Sequence, residues 1–310
     1  MFSGHWWTIV PKLQELRHPE APPTGEVPWH LEFEDPVTGT VELNGRLAER
    51  GGDSLLILVH GLGGSIQSGY MARSGRVAEA MGLSCLRVNM RGADRRGGDF
   101  YHAGLSEDLE RVIASPAVAS YERLWILGFS LGGHLALLLG THCRDPRLAA
   151  VAAVCSPLNL LATVQDFDRG RNWVYRQYIL RSLATMADAM AENQPMNGRE
   201  VRRLSWLRDF DHQIVAPRFG FDSAEDYYAK TNVAERLHRL RVPGLLVASE
   251  GDPMISARSV RAGLGEAPEH LRVVWSANGG HVGFPPDADL GLGGGPGMEH
   301  QVIHWLSNQG

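Results

Sequence analysis

Ser130 is the residue in this chain whose context most clearly spells out a reaction. It stands in Leu124-Trp125-Ile126-Leu127-Gly128-Phe129-Ser130-Leu131-Gly132-Gly133-His134, an apolar strand pattern, then G-x-S-x-G, then a helical pattern. That strand–turn–helix context gives the motif meaning, because a serine on so sharp a turn is held clear of the sheet with its hydroxyl exposed. A serine hydroxyl is a weak nucleophile at neutral pH and needs a base, which in turn needs an orienting carboxylate. Both partners are expected downstream, in the order acid then histidine.

The acid is sought after the apolar run Gly244-Leu245-Leu246-Val247-Ala248-Ser249, where Glu250 and Asp252 compete. Asp252 sits on the turn and is fixed by Pro253, so it is preferred, and Glu250 is read as a solvated loop carboxylate. The base is sought among 13 histidines. His281, in Asn278-Gly279-Gly280-His281-Val282-Gly283-Phe284, follows the strand pattern Leu271-Arg272-Val273-Val274-Trp275, so it is placed beyond a strand's carboxyl end. Open α/β sheets bind their ligands there. His60 opens His60-Gly61-Leu62-Gly63-Gly64, an oxyanion-loop pattern in which backbone N–H groups matter more than the imidazole. His134 is read as a packed helix residue, and His102 as structural, since most histidines are neither bases nor ligands. Acyl transfer places negative charge on a carbonyl oxygen, which fixed backbone donors can stabilise by several kcal/mol. The expected donors are the N–H groups of Leu131 and Leu62.

These residues require a scaffold. Residues 1–28 form an N-terminal arm; 11–28 are proline-rich and polar, and little regular structure is expected there. Alternation over 30–35 and 40–47 around Pro36-Val37-Thr38-Gly39 predicts a β-hairpin. Strands at 55–60, 84–89, 122–128 and 148–155 then alternate with helices near 69–81, 105–119 and 131–143. This rhythm predicts an α/β domain with a mostly parallel central sheet flanked by helices. It stops after Cys155-Ser156-Pro157 and resumes at 244. Residues 158–235 read as a helical lid inserted over Ser130 within a single domain, with Trp173, Tyr178 and Trp206, together with His60 and Phe129, as candidate substrate-pocket residues.

Composition narrows the function. The 310 residues carry a net charge of −5, which gives nucleic-acid binding no electrostatic support. Arg91, Arg95, Arg96, Arg202, Arg203, Arg236, Arg239 and Arg241 are scattered, and all but Arg91 are expected on a solvated surface. Cys85, Cys143 and Cys155 lie in apolar segments without metal-ligand spacing, which points to reduced thiols and a cytoplasmic setting. No apolar run of about 18 residues exists, so stable membrane insertion is not expected. The aromatic stretch His5-Trp6-Trp7 is expected to pack on the domain. The i, i+4 pair His300 and His304 lacks the glutamate of a zinc motif, Gln301 standing there instead, and no metal site is expected. The glycine-rich run 291–297 lacks the strand and the Lys-Ser/Thr of a phosphate loop.

The chain resembles an α/β-hydrolase of the YheT-like, or EMB8-type, branch, related to the ABHD lipases and esterases. The residues that carry the resemblance span nearly its whole length. They are Gly4-His5 with Thr8-Ile9-Val10-Pro11, His60-Gly61-Leu62-Gly63-Gly64-Ser65, Asn89-Met90-Arg91-Gly92, Tyr101-His102-Ala103-Gly104 with Asp108-Leu109, the elbow around Ser130, Asp252-Pro253, and Gly279-Gly280-His281-Val282-Gly283-Phe284. The resemblance implies Ser130, Asp252 and His281 as a triad, ester or thioester substrates with acyl chains, and no cofactor. It departs over 93–100, which is rich in glycine and arginine where relatives usually carry a cysteine and an asparagine. The membrane anchor often found before this region in eukaryotic relatives is not expected here. A serine carboxylic ester hydrolase acting on a small-molecule ester or lipid-like substrate is the leading expectation. A thioesterase or acyltransferase with the same triad, or a non-catalytic binding homologue, remains open.

Overall fold

The computed structural model describes residues 2–95, 99–169, 172–189, 197–265 and 267–310. Arg96 and its two following neighbours, and 170–171 and 190–196 of the segment expected to form a lid, lie outside the described residues.

Eight strands form one sheet: β1 (Val27–Asp35), β2 (Gly39–Ala48), β3 (Ser54–Val59), β4 (Ser84–Asn89), β5 (Arg123–Phe129), β6 (Leu148–Val154), β7 (Gly244–Ser249) and β8 (Leu271–Ser276). Their order is β1-β2-β4-β3-β5-β6-β7-β8. β1 and β2 form the expected antiparallel hairpin, β2 runs antiparallel to β4, and every pairing from β4 to β8 is parallel. The hairpin turn is closed by Asp35, whose Oδ1 accepts from the N–H groups of Val37 and Thr38.

β3, β5, β6 and β7 are apolar almost throughout because helices cover both faces, as parallel sheets require, whereas β4 carries Ser84, Arg87 and Asn89. Alternate side chains therefore enter two separate cores. From β5, Leu124 and Ile126 join one core, with α3 (Ser106–Ile113) and α4 (Leu131–His142). Trp125, Leu127 and Phe129 join the other, with α2 (Gly69–Ala80) and the C-terminal helix Met298–Ser307. Between β6 and β7 the described residues contain only helices and turns, among them Leu160–Phe167, Trp173–Asp188 and Ala224–Thr231.

The N-terminal region departs from expectation. Phe2–Arg17 is a 16-residue helix, α1, with Pro11 inside it, so only 18–26 is irregular. Contacts with distant parts of the chain, described below, hold α1 in place. Its aromatics pack only in part: Trp7 is half-buried, whereas Trp6 is 60% exposed. None of the described helices is long and apolar enough to cross a membrane.

Candidate functional site

Ser130 lies between the end of β5 and the start of α4 with φ 51° and ψ −119°. A non-glycine residue held there costs on the order of 1–3 kcal/mol. The helix that follows offsets this cost: Leu135, Leu137 and Leu139 are all fully buried, each contributing about 1.5–3 kcal/mol. The two motif glycines are required by close approach. A Cβ on Gly128 would lie 2.1 Å from the Gly132 carbonyl oxygen, and one on Gly132 would lie 2.4 Å from the Val59 carbonyl oxygen.

Three distant loops bring Ser130, His281 and Asp252 into one hydrogen-bonded line. His281 Nε2 is 3.0 Å from Ser130 Oγ, and His281 Nδ1 is 2.9 Å from Asp252 Oδ2. The carboxylate can only accept, so Nδ1 carries the proton and Nε2 is free to accept from the serine hydroxyl. Asp252 Oδ1 is held by the N–H groups of Met254 and Ile255 at 2.8 and 2.9 Å, which fixes the plane of the carboxylate. Glu250 is not in this line; it pairs with Arg261 on the surface.

The loop after β3 is equally constrained. The Gly61 carbonyl accepts from His60 Nδ1 (2.9 Å), Tyr101 Oη (2.9 Å) and the Gly64 N–H (3.0 Å). The Gly61 and Gly63 N–H groups donate to Tyr70 Oη and Tyr101 Oη at 3.1 and 2.7 Å. Leu62 alone in 61–64 has an N–H with no partner among the described residues, and the Leu131 N–H, at the first position of α4, has none either. Both residues line one cavity with Ser130. Burial pushes the phenol pKa of Tyr70 up to about 12 and that of Tyr101 higher still, so both remain neutral hydroxyls.

The N-terminal helix supports the histidine loop, and nothing in its periodicity signals this. Thr8 Oγ1 accepts from the His281 N–H at 2.8 Å, and a Cβ on Gly280 would lie 2.4 Å from that hydroxyl oxygen. Likewise, a Cβ on Gly283 would lie 2.0 Å from the Trp7 carbonyl oxygen. The matching pattern Gly4-His5 with Thr8 was the available signal.

The cavity of about 100 Å³ lies between Ser130 and the helical segment, and its walls are mostly apolar, including Val164, Phe167, Ile179, Val215 and Ile255. None of the five expected pocket residues lines it. His60 is fully buried beneath the loop after β3 and accepts from the Met90 N–H at 3.1 Å. Phe129 points to the opposite face of the sheet and packs on Tyr70. Trp173 and Tyr178 lie on the outer side of their helix, 59% and 50% exposed. Trp206 stacks under Arg176 beside a separate depression on the far side of Tyr228.

The other histidines and Arg91 have structural partners. His102 is wedged against Phe219, and burial, aided by Arg91, pushes its pKa to about 3. His134 links α4 to the helical segment through the carbonyls of Pro157 and Thr231. Arg91 joins Asp108 on α3 to Asp35 in the hairpin at 2.6 and 2.8 Å. Gln301 clamps the glycine-rich loop, accepting from the N–H groups of Leu290 and Leu292 and donating to the Ala288 carbonyl.

Among the described residues, only Cys155, Asp252 and His281 come close enough together to suggest a metal. Their donor atoms are already engaged: the thiol donates to the Gly280 carbonyl, and Asp252 and His281 bind each other. Burial and the nearby Asp252 also push the Cys155 thiol pKa well up, which disfavours the thiolate a metal would need.

Comparison with known proteins matches this architecture. The chain is 28% identical to the embryogenesis-associated protein EMB8 of Picea glauca, over 97% of this chain and 67% of that protein. It is 24% identical to the human monoacylglycerol lipase ABHD2, over 91% of this chain and 72% of that protein. Among solved structures, the esterase Pf2001 of Pyrococcus furiosus shares the fold with a TM-score of 0.55 at 14% identity, covering 85% of this chain and 90% of that one. The profile of the alpha/beta hydrolase family matches residues 56–290, and the chain belongs to that family.

Proposed function

We propose that this protein is a serine hydrolase that cleaves carboxylic esters of acyl chains through an acyl-enzyme. The hydrogen-bonded line Asp252–His281–Ser130, ending where two unpartnered amides meet an apolar cavity, carries this reading.

Ser130 Oγ attacks the ester carbonyl while His281 Nε2 takes its proton, and Asp252 holds the imidazole tautomer and stabilises the imidazolium. The tetrahedral oxyanion lies between the Leu62 and Leu131 N–H groups, the latter reinforced by the positive end of α4. His281 returns the proton to the departing alcohol. Water, activated by the same imidazole, then attacks the acyl-enzyme and releases the acid. The helical segment between β6 and β7 acts as a lid-like wall over the acyl chain. The three cysteines are unpaired and buried, which suits a reducing compartment.

The test is labelling by a fluorophosphonate together with hydrolysis of p-nitrophenyl butyrate. Wild-type protein labels at Ser130 and turns over the ester, and Ser130→Ala does neither while keeping its thermal midpoint. Turnover by Ser130→Ala above a few per cent of wild type would refute the assignment.

A further inference from the structure

The cavity beside Ser130 contains polar groups that the proposed chemistry leaves unused. Asp211 opens a single π-helical turn, Asp211–Val215, set between two short α-helical pieces. Such turns recur at functional positions because they push one residue out of the regular helical path. Here Asp211 and Val215 both face the cavity. Asp211 is 8% exposed, and its Oδ2 accepts from Tyr228 Oη at 2.6 Å. Among the described residues Oδ1 has no hydrogen-bond partner and no cation pairs with the carboxyl; the charge that acts on it is Asp168, of the same sign. Thr163, 7% exposed, lines the same cavity, and its Oγ1 is buried without a hydrogen-bond partner.

The Thr163 hydroxyl is buried without a partner among the described residues, which is costly, while the Asp211 carboxyl has Tyr228 on one oxygen and leaves the other to the cavity; apolar walls can satisfy neither group. If the cavity held only a hydrocarbon chain, the Thr163 hydroxyl and Asp211 Oδ1 would gain no partner from it. A chain bearing a hydroxyl at the right depth supplies what both lack: a donor for Asp211 and a partner for Thr163. We propose that the acyl chain accepted here is hydroxylated, its hydroxyl docking against Asp211 and Thr163 while its ester lies at Ser130. This inference rests on the ester-hydrolase reading. The elevated Asp211 pKa, about 7 through burial, accords with it: the carboxyl can accept from the hydroxyl when ionised and donate to it when protonated. Discrimination in such sites is strong, because a site built to hydrogen-bond a hydroxyl leaves its own polar groups unpaired when the analogue lacks one.

The experiment compares kcat/KM for ethyl hexanoate and ethyl decanoate with their chain-hydroxylated derivatives, the hydroxyl moved along the chain. Ethanol release is followed, with the Ser130→Ala protein as blank. In the wild type, one hydroxyl position should raise kcat/KM about tenfold over the parent ester. Asp211→Leu should bring that ratio to one or below, Asp211→Asn should retain part of it, and Thr163→Val should lower it a few-fold. If Ser130 is labelled by the fluorophosphonate and the parent esters turn over, but no hydroxylated ester is preferred, the inference is overturned and the hydrolase reading stands. If Asp211→Leu lowers the thermal midpoint with the ratio unchanged, the Asp211–Tyr228 pair is only a strut, and the inference is overturned. If no ester turns over and Ser130 is unlabelled, the hydrolase reading falls and takes this inference with it.

Discussion

Replacing Tyr101 with phenylalanine tests the proposed oxyanion site without touching the serine, the histidine or the acid. The Tyr101 hydroxyl accepts from the Gly63 N–H at 2.7 Å and donates to the Gly61 carbonyl at 2.9 Å, so it brackets Leu62 on both sides. Gly61 O keeps two other donors in the variant, His60 Nδ1 and the Gly64 N–H, so its loss is small. Gly63 N–H keeps none, and for this half-buried donor the loss costs up to about 1–3 kcal/mol, the value for a fully buried one. The loop can recover part of that cost by turning Gly63 toward water, which would carry the Leu62 N–H with it. Complete loss of one oxyanion donor costs about 2.7–4 kcal/mol in comparable hydrolases. The expected fall in kcat for Tyr101→Phe is therefore about tenfold to a hundredfold, below the limit for full loss. KM should change little, because the donor acts on charge that develops only in the transition state. The assay is steady-state hydrolysis of p-nitrophenyl butyrate beside a thermal melt. A lower melting midpoint with kcat within twofold of wild type would refute the reasoning, because the loop would then be stabilised by Tyr101 without being aimed by it.

Other expectations follow from the same geometry. Asp252→Asn should cost several orders of magnitude in kcat by favouring the wrong histidine tautomer, whereas Glu250→Gln, which breaks only a surface pair with Arg261, should stay within about twofold; reversed effects would move the orienting role to Glu250. Thr8→Val removes the acceptor for the His281 N–H and should lower kcat by about tenfold; full activity in Thr8→Val would show that the histidine loop needs no support from α1. Stability should fall in acid. Burial depresses the pKa of His60 to about 4 and that of His102 to about 3, so their contribution is complete above about 6.5 and is lost as pH falls through those values. For His60 alone this is about 3 kcal/mol. Asp211, raised to about 7, works in the opposite sense, but two histidines outweigh one carboxyl. Denaturant unfolding between pH 7 and 4 should show a net loss, steeper in Asp211→Asn, and a flat profile would contradict it. Ser182→Ala combined with Tyr101→Phe should be non-additive in kcat by at least about 0.5 kcal/mol, because both side chains bind Gly63; strict additivity would show that the helical wall and the loop act independently.

The central fold was legible because its strands are buried on both faces. β3, β6 and β7 read as short apolar runs between turn signals, and these strands, like β4, begin or end within a residue of their expected positions. The elbow was legible for a local reason: the glycine spacing required by the strand-to-helix crossing is written in five consecutive residues. The helix α1 was not legible. Pro11 and the prolines that follow read as an irregular arm, and what holds the helix is contact with residues about 270 positions away, at Gly280, His281 and Gly283. The pocket was misread for a different reason. Aromatic content identified the right segment, but the side of each element decides which residues enter the cavity. On the helix Trp173–Asp188, Tyr175, Ile179 and Leu183 face inward at helical spacing, whereas Trp173, Val174 and Tyr178 fall on the other side. Phe129 is on the wrong side of β5 by the same parity that puts Ile126 on the right one.

The segment between β6 and β7 is tied to three separate parts of the site. Ser182 Oγ donates to the Gly63 carbonyl at 2.9 Å, which joins the wall to the loop that holds the Leu62 amide. Tyr175 Oη meets His5 Nδ1 at 2.6 Å, which joins it to the helix supporting His281. The Thr231 carbonyl meets His134 Nε2 at 2.9 Å, which joins it to α4, the helix that follows Ser130. Under the proposed function, a chain that fills the cavity would press on this wall, and the wall is hydrogen-bonded to the loop or helix behind each of the three proposed catalytic groups. On that proposal, chain binding and the alignment of serine, histidine and amide would be mechanically connected. A poorly fitting chain should therefore lower kcat as well as raise KM, because binding energy that fails to seat the wall also fails to hold the amides in place.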